Sequence, residues 1–149
     1  MSIDHCMVRT SDLLVPVGEK GKKATFRNPH RSTMVKIKID NCVVKNATAA
    51  DYVVSKPACG DVVVELKGKD VESAIKQIEA TIDLWRKRPE FQGKIAGLIV
   101  ASQCPKVSTK LLKAKSRILR DFKAHLHIVT KNLEFDIEKL FQARGILKL

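Results

Sequence analysis

Apolar and polar residues alternate with period two in the first half of the chain, which predicts strands. Residues 34–40 alternate apolar with basic side chains, as expected for a strand with one exposed face. Two valine-rich runs follow at 52–54 and 62–64, and Pro57 and Gly60 separate them. Because valine and tyrosine favour strands and proline and glycine favour turns, this segment predicts a hairpin.

The second half of the chain shows helical spacing interrupted by one apolar run. Apolar residues recur every three to four positions over 71–86, behind Asp70 as a suitable N-cap. The run 94–102 is almost wholly apolar and predicts a buried strand, and a further helix begins at Ser108 or Thr109. A strand, helix, strand order predicts a parallel pair of strands joined by a crossover.

The order of these elements predicts an α/β fold, an α+β mixed sheet with flanking helices. At 149 residues, the chain is expected to form one domain. Its segments are a basic N-terminal stretch (1–33) without a clear pattern, a core (34–130) and a C-terminal helix (131–149). Strands come first, and helix, strand, helix and a last strand near 127–130 follow.

Positive charge is the strongest feature of the composition. The 28 Lys and Arg residues exceed the 16 Asp and Glu residues, which gives a net charge of +12. Such an excess indicates a polyanionic partner, most often nucleic acid, although basic residues also occur on ordinary solvated surfaces. The candidate phosphate contacts lie in a basic loop near the N-terminus, after the 62–67 strand and on the second helix: Lys20, Lys22, Lys23, Arg27, Arg31, Lys69, Lys110, Lys113 and Arg117.

The cysteines and the hydropathy pattern predict where the chain is found. The four cysteines form no Cys-x-x-Cys pair, so a zinc finger or ribbon does not fit. The N-terminal residues do not resemble a signal peptide, and no run is long enough to cross a membrane. We therefore expect a cytoplasmic protein with reduced thiols and no membrane partner.

Acidic and basic residues interrupt the strand that follows the predicted turn. Glu65 and Lys67 are two residues apart on this strand, so their side chains point to the same face. Asp51 begins the preceding strand. Carboxylates from two neighbouring strands can hold Mg²⁺, and a lysine beside them can orient or deprotonate an attacking water.

Asp51 together with the Glu65-Leu66-Lys67 tripeptide resembles the PD-(D/E)xK nuclease superfamily, which includes Holliday-junction resolvases and restriction enzymes. The resemblance implies a restriction-endonuclease-like core and Mg²⁺- or Mn²⁺-dependent hydrolysis of phosphodiester bonds. It implies that Asp51, Glu65 and the Leu66 carbonyl bind the metal, and that Lys67 acts on the water. In that family the helix after this strand often carries a glutamine near the metal, and here the glutamine is Gln77.

Several alternatives remain open at the level of sequence. Asp40 competes with Asp51 as the first acidic ligand, and Glu19 could be an additional acid. Asp61 shares a face with Glu65 but lies about 13 Å from it along the strand, too far for one ion.

The partner and the type of activity also have alternatives. The resemblance implies DNA rather than RNA as the substrate, because members of that family usually act on DNA. A domain of this size would cut by structure or with low specificity, unless a homodimer or a partner protein supplied specificity. The other functions considered are a non-catalytic nucleic-acid-binding protein on the same fold and a basic interaction protein of a larger complex.

Overall fold

The computed structural model describes residues 2–19, 21–66, 70–103 and 108–142. These residues form nine β-strands, two α-helices and two short 3₁₀ helices. The strands are β1 (Met7–Thr10), β2 (Leu14–Glu19), β3 (Lys22–Arg27), β4 (Met34–Lys38), β5 (Tyr52–Lys56), β6 (Gly60–Leu66), β7 (Ile95–Val100), β8 (Leu126–Val129) and β9 (Glu134–Phe135). The helices are α1 (Val71–Trp85) and α2 (Thr109–Phe122), with 3₁₀ helices at Asp4–Cys6 and Ile137–Phe141.

Six strands form one central mixed sheet in the order β1-β4-β5-β6-β7-β8. Neighbours from β1 to β6 are antiparallel, whereas β6, β7 and β8 are parallel. The β5–β6 hairpin and the crossover from β6 through α1 to β7 confirm two predictions. The mixed α/β class is therefore confirmed, with β6 at the change from antiparallel to parallel pairing.

Side-chain caps fix the start of each α-helix. The Asp70 carboxylate accepts the backbone N–H of Ser73 at 3.0 Å, and the Ser108 hydroxyl accepts that of Leu111 at 3.1 Å. Such caps satisfy amide groups that have no partner inside the first turn. No helix in the described ranges is long and apolar enough to cross a membrane.

Both α-helices pack on the same face of the central sheet. Residues such as Val63 and Ile99 meet Ile78 of α1 and Ile118 of α2 in one core cluster. Gly97 allows close approach, because a Cβ atom there would lie 2.8 Å from Ile78 Cγ2. In α2, Ala114 and Ile118 are buried against the sheet, whereas Leu112 and Leu119 are exposed.

A second, three-stranded sheet covers the opposite face of the central sheet. Its order is β2-β3-β9, with β2 and β3 antiparallel and β3 and β9 parallel. Val62 and Leu98 of the central sheet pack there with Phe26 and Leu140. The expectation of helices flanking the sheet is therefore correct for one face, because strands form the other layer. Covering both faces explains why β6 and β7 are so apolar.

The N-terminal segment contains a hairpin where a basic loop was expected. Glu19 pairs with Lys22 across the β2–β3 turn, and Lys22, Lys23 and Arg27 all belong to β3. The loop prediction was wrong because residues 22–27 pair with β2 along their whole length, and Thr25 and Phe26 also pair with β9, more than 100 positions further along the chain. Local sequence carries no signal of the β3–β9 pairing.

The C-terminal segment does not begin with the predicted helix. Residues 134–135 form strand β9, and a 3₁₀ helix of five residues, Ile137–Phe141, follows it. Part of the predicted helix, residues 143–149, lies outside the described residues. His127 Nε2 hydrogen-bonds the Leu140 carbonyl at 2.7 Å inside the protein, and burial lowers the pKa of this histidine. The contact helps to hold the 3₁₀ helix against the sheet.

Cys6 and Cys42 form a disulfide, which corrects the expectation of reduced thiols. It joins the first 3₁₀ helix to the turn after β4, across 36 positions of the chain. Cys59 is a free thiol, and Cys104 lies outside the described residues. Disulfides are common in oxidising compartments, so the cytoplasmic location remains a prediction.

Candidate functional site

Two acidic residues lie opposite each other at the open end of the hairpin formed by β5 and β6. Tyr52 pairs with Val64, so the same register places Asp51 opposite Glu65. Residues directly opposite each other in an antiparallel pair point to the same face of the sheet. Val53 and Val63 share that parity and lie in the cluster beneath the helices, which assigns Asp51 and Glu65 to the helix-covered face.

Asp51 is tied to the end of β6, the strand that carries Glu65. Its Oδ2 atom accepts the backbone N–H of Leu66 at 2.8 Å. Within the described part of the chain, the Asp51 side chain makes this one hydrogen bond, through Oδ2. Its Oδ1 atom therefore remains available as a ligand atom. The Glu65 side chain is almost completely buried, with Glu65 only 1% exposed.

Helix α1 contributes Gln77 to the same neighbourhood. The Gln77 amide donates from Nε2 to the carbonyl oxygen of Ala49 at 3.3 Å, two residues before Asp51. Its Oε1 atom is buried and accepts no hydrogen bond from any described group. A buried amide oxygen of this kind costs free energy unless a donor such as a water or an ammonium group reaches it.

The chemistry of these side chains fits a hard divalent cation. Two carboxylates on one face of neighbouring strands repel each other when both are ionised, and a bound cation removes that penalty. Mg²⁺ is typically held by one or two carboxylates and several waters. The Gln77 oxygen without a donor is suited to receive a hydrogen bond from such a water. The side chains of Asp51, Glu65 and Gln77 are therefore of the chemical kind that fits Mg²⁺.

Of the other residues predicted for this site, Leu66 is described in the structure and Lys67 is not. Leu66 lies beside Asp51 through the hydrogen bond described above. Lys67, the predicted activator of the water, lies outside the described residues, as do Lys69 and Lys20.

The two alternative acids lie in separate surroundings. Asp40 donates its backbone N–H to the Ala50 carbonyl at 3.1 Å, so it sits at the same edge of the sheet as Asp51. Ile39 donates its N–H to the Asp51 carbonyl, so Ile39 and not Asp40 lies opposite Asp51. Glu19 ends β2 in the second sheet, which the central sheet separates from the helix-covered face. Asp51 is thus the acid placed with Glu65.

The basic residues of the N-terminal segment lie in the other layer of the protein. Lys22, Lys23 and Arg27 belong to β3, on the side of the central sheet that faces away from α1. Arg27 forms ion pairs with Glu134 at 3.4 Å and Asp136 at 3.5 Å, while Arg31 is exposed beyond the strand. These cations are not brought into the layer that holds Asp51 and Glu65.

Two of the three candidate phosphate contacts on α2 are engaged with α1. Arg117 pairs with Glu79, and Lys110 lies 3.7 Å from Glu72. The Arg117 pair raises the pKa of the guanidinium through its hydrogen bond to Glu79. Lys113 is exposed. The basic face of α2 therefore partly serves to join the two helices.

Asp61 is a buried acid whose importance the sequence did not show. It is 0% exposed at the other end of β6, and its Oδ2 atom accepts the backbone N–H of Gln92 at 2.8 Å. Ser55 and the indole of Trp85 lie near its carboxyl group and lower its pKa. Neither group forms a hydrogen bond with Oδ1. Burial raises the pKa of Asp61, and the contacts with Ser55, Gln92 and Trp85 partly offset that rise. The signal in the sequence that could have revealed this buried acid is an Asp directly before the valine run of an otherwise apolar strand.

One group of potential soft-metal ligands is consumed by the disulfide. His5, Cys6 and Cys42 each place a ligand atom within 4.8 Å of the others. Because the two sulfurs are bonded to each other, neither is a thiolate, and the thiolate is the form that binds zinc. This group is not a metal site in the structure.

Comparisons with known proteins add no relative to this description. A scan against protein-family models found no match, and searches of curated proteins and of solved structures found no significant match. The functional argument therefore depends on the site itself.

Proposed function

We propose that this protein is a Mg²⁺-dependent nuclease that hydrolyses phosphodiester bonds of DNA, with selectivity for substrate structure or with low specificity. The single observation that carries the proposal is the placement of Asp51 opposite Glu65 on the helix-covered face. The tripeptide Glu65-Leu66-Lys67 in this position is the pattern that resembles the PD-(D/E)xK superfamily.

Each residue of the site has a defined role in this proposal. Asp51 and Glu65 hold the cation, helped by the Leu66 carbonyl, and the Leu66 amide fixes the orientation of the Asp51 carboxylate. When bound, Mg²⁺ or Mn²⁺ supplies stabilisation of the negative charge that develops on the phosphate. Lys67 orients the attacking water or accepts its proton, and Gln77 Oε1 accepts a hydrogen bond from a water or an ammonium group.

Positive charge supplies the affinity for the substrate. A net charge of +12 attracts a polyanion over a distance comparable with the Debye length. Lys113 and Arg31 are exposed candidates for phosphate contacts, and the side chains of Lys22 and Lys23 lie on the opposite layer. Binding should therefore weaken steeply with salt and depend little on sequence.

The test compares the wild-type protein with Glu65→Gln and Lys67→Ala on plasmid, linear, single-stranded and branched DNA. Each reaction contains Mg²⁺, Mn²⁺ or EDTA. We expect cleavage that requires the metal and is lost in both variants, while thermal melting shows that both remain folded. Cleavage that survives in Glu65→Gln or in EDTA would contradict the proposal.

The second candidate is a non-catalytic nucleic-acid-binding protein, and the net charge favours it because binding needs no metal site. In that case wild-type and variant proteins would bind DNA equally, with the same salt dependence, and none would cut. A basic interaction protein of a larger complex would show neither cleavage nor salt-dependent DNA binding.

A further inference from the structure

Helix α1 holds the backbone immediately before Asp51 through two side chains one turn apart. The Ala50 backbone N–H donates to Thr81 Oγ1 at 2.7 Å, and Gln77 Nε2 donates to the neighbouring Ala49 carbonyl at 3.3 Å. Thr81 is 1% exposed and Ala50 is fully buried, so water has no access to replace the first bond.

The other side of this backbone is held by the continuation of β4. Ile39 donates its N–H to the Asp51 carbonyl at 3.0 Å, and Asp40 donates to the Ala50 carbonyl at 3.1 Å. The segment that leads into Asp51 is therefore fixed between β4 and α1. These bonds leave the Ala50 amide dependent on one side chain, that of Thr81.

We propose that Thr81 is a positioning residue for the metal site: its hydroxyl fixes the Ala50 amide and thereby sets the Asp51 carboxylate opposite Glu65. The inference rests on the proposed function, since it concerns the same site. Thr81 touches neither carboxylate and acts through the backbone. Partners that orient metal ligands in this way commonly change metal affinity when they are lost.

Thr81→Val is the most direct test, because valine keeps the shape of threonine but cannot accept the Ala50 N–H. We expect Mn²⁺ binding, measured by electron paramagnetic resonance on the full chain, to weaken about tenfold or more, as for loss of other outer partners of metal ligands. Thr81→Ser restores the acceptor and should bind Mn²⁺ with nearly wild-type affinity. If Thr81→Val does not fold, Thr81→Ala removes the same oxygen with less bulk.

A matched control separates positioning from general loss of stability. Ile82→Val removes a buried methylene from the next position of α1, and Ile82 contributes to the core rather than to the Ala50 contact. It should lower the melting temperature while Mn²⁺ affinity remains at the wild-type value. Equal Mn²⁺ affinity in Thr81→Val and wild type, or equal losses in Thr81→Val and Ile82→Val, would overturn the inference.

The same measurements distinguish failure of the inference from failure of the proposed function. If wild-type protein does not bind Mn²⁺, or if Glu65→Gln binds it equally well, then the metal site itself is wrong. If wild type binds Mn²⁺, Glu65→Gln does not, and Thr81→Val binds normally, then only the role of Thr81 is wrong.

Discussion

The two ends of strand β6 each bury an acidic residue on the same face, yet the surroundings of the two residues differ. Asp61 is 0% exposed and Glu65 is 1% exposed, and the two are four residues apart. Asp61 lies among Ser55, Trp85 and the Gln92 amide, which are neutral groups. Glu65 instead lies opposite a second acid, Asp51.

This difference shows that burial of an acid does not by itself indicate catalysis. Neutral partners can accommodate one carboxyl group, and a raised pKa lets the group become neutral. Two facing carboxylates repel each other when both are ionised, and a bound cation would remove that repulsion. Burial among neutral groups is consistent with a structural role for Asp61, and the proposed function places its metal at the end that holds Asp51 and Glu65.

The largest expected effect comes from removing one charge at each end of β6. Asp51→Asn should lower metal-dependent cleavage by more than about 100-fold, because loss of a ligand exceeds the usual cost of losing an outer partner. Asp61→Asn should leave cleavage within about twofold of wild type, as expected for a site without a reacting group. Initial rates on one DNA substrate at saturating Mg²⁺ check both values. Equal losses in the two variants would remove the distinction between the ends.

The disulfide gives a second test, because Cys42 follows closely on Ile39, which holds the Asp51 carbonyl. A cross-link over 36 positions is worth about 4 kcal/mol in the loop-entropy description, so Cys6→Ser should reduce the free energy of unfolding by up to that amount.

The loss of stability in Cys6→Ser should also be largest near Asp51. Hydrogen exchange should accelerate at the Ile39 and Asp40 amides more than at the Gln92 amide, which donates to Asp61 at the other end. Cys59→Ser, which changes the free thiol, serves as the control and should alter neither amide at the Asp51 end. Uniform acceleration throughout the sheet would show that the disulfide does not support this end in particular.

The pH dependence of stability should report Asp61. Its pKa is raised in the folded protein, mainly by burial, so the folded state retains the proton to higher pH than the unfolded chain does. The free energy of unfolding should then fall as pH rises from the ordinary Asp value through the raised pKa. Asp61→Asn should lack this fall, while the exposed Asp12→Asn keeps it. Urea unfolding at a series of pH values measures the difference, and identical profiles in wild type and Asp61→Asn would contradict it.

The smallest effect is expected from Ser55→Ala, which removes a buried hydroxyl opposite Asp61. The Ser55 side chain lowers the pKa of Asp61, so its removal should raise that pKa further and cost about 1 kcal/mol at neutral pH. Ser116→Ala on the exposed face of α2 should stay within about 0.5 kcal/mol of wild type. A cost for Ser55→Ala that does not vary with pH would show that the hydroxyl contributes without acting on Asp61.

Local patterns in the sequence were sufficient for much of the central sheet and both helices. The valine runs around Pro57 and Gly60 form the β5–β6 hairpin, and the caps Asp70 and Ser108 begin α1 and α2. These features depend on residues that are close in sequence. The placement of Asp51 opposite Glu65 follows from the same hairpin, which explains why the proximity of these two residues could be predicted.

Features that join distant residues were beyond the reach of such patterns. The β3–β9 pairing joins the N-terminal hairpin to a strand more than 100 residues later, and the Cys6–Cys42 bond joins cysteines that no spacing motif connects. The role of Thr81 depends on where α1 crosses the segment before Asp51. Each of these depends on three-dimensional proximity, for which hydrophobic periodicity gives no information.

The small second sheet has a consequence for how the protein folds. Thr25 pairs with Glu134, and the Lys23 amide donates to Asn132 Oδ1 at 2.9 Å, so one of the two neighbours of β3 is made more than 100 residues later, while β2 precedes it. Closing such a long loop costs entropy before any contact compensates for it. During synthesis, the β2–β3 hairpin can therefore pair locally, whereas the small sheet is complete only after β9 has left the ribosome.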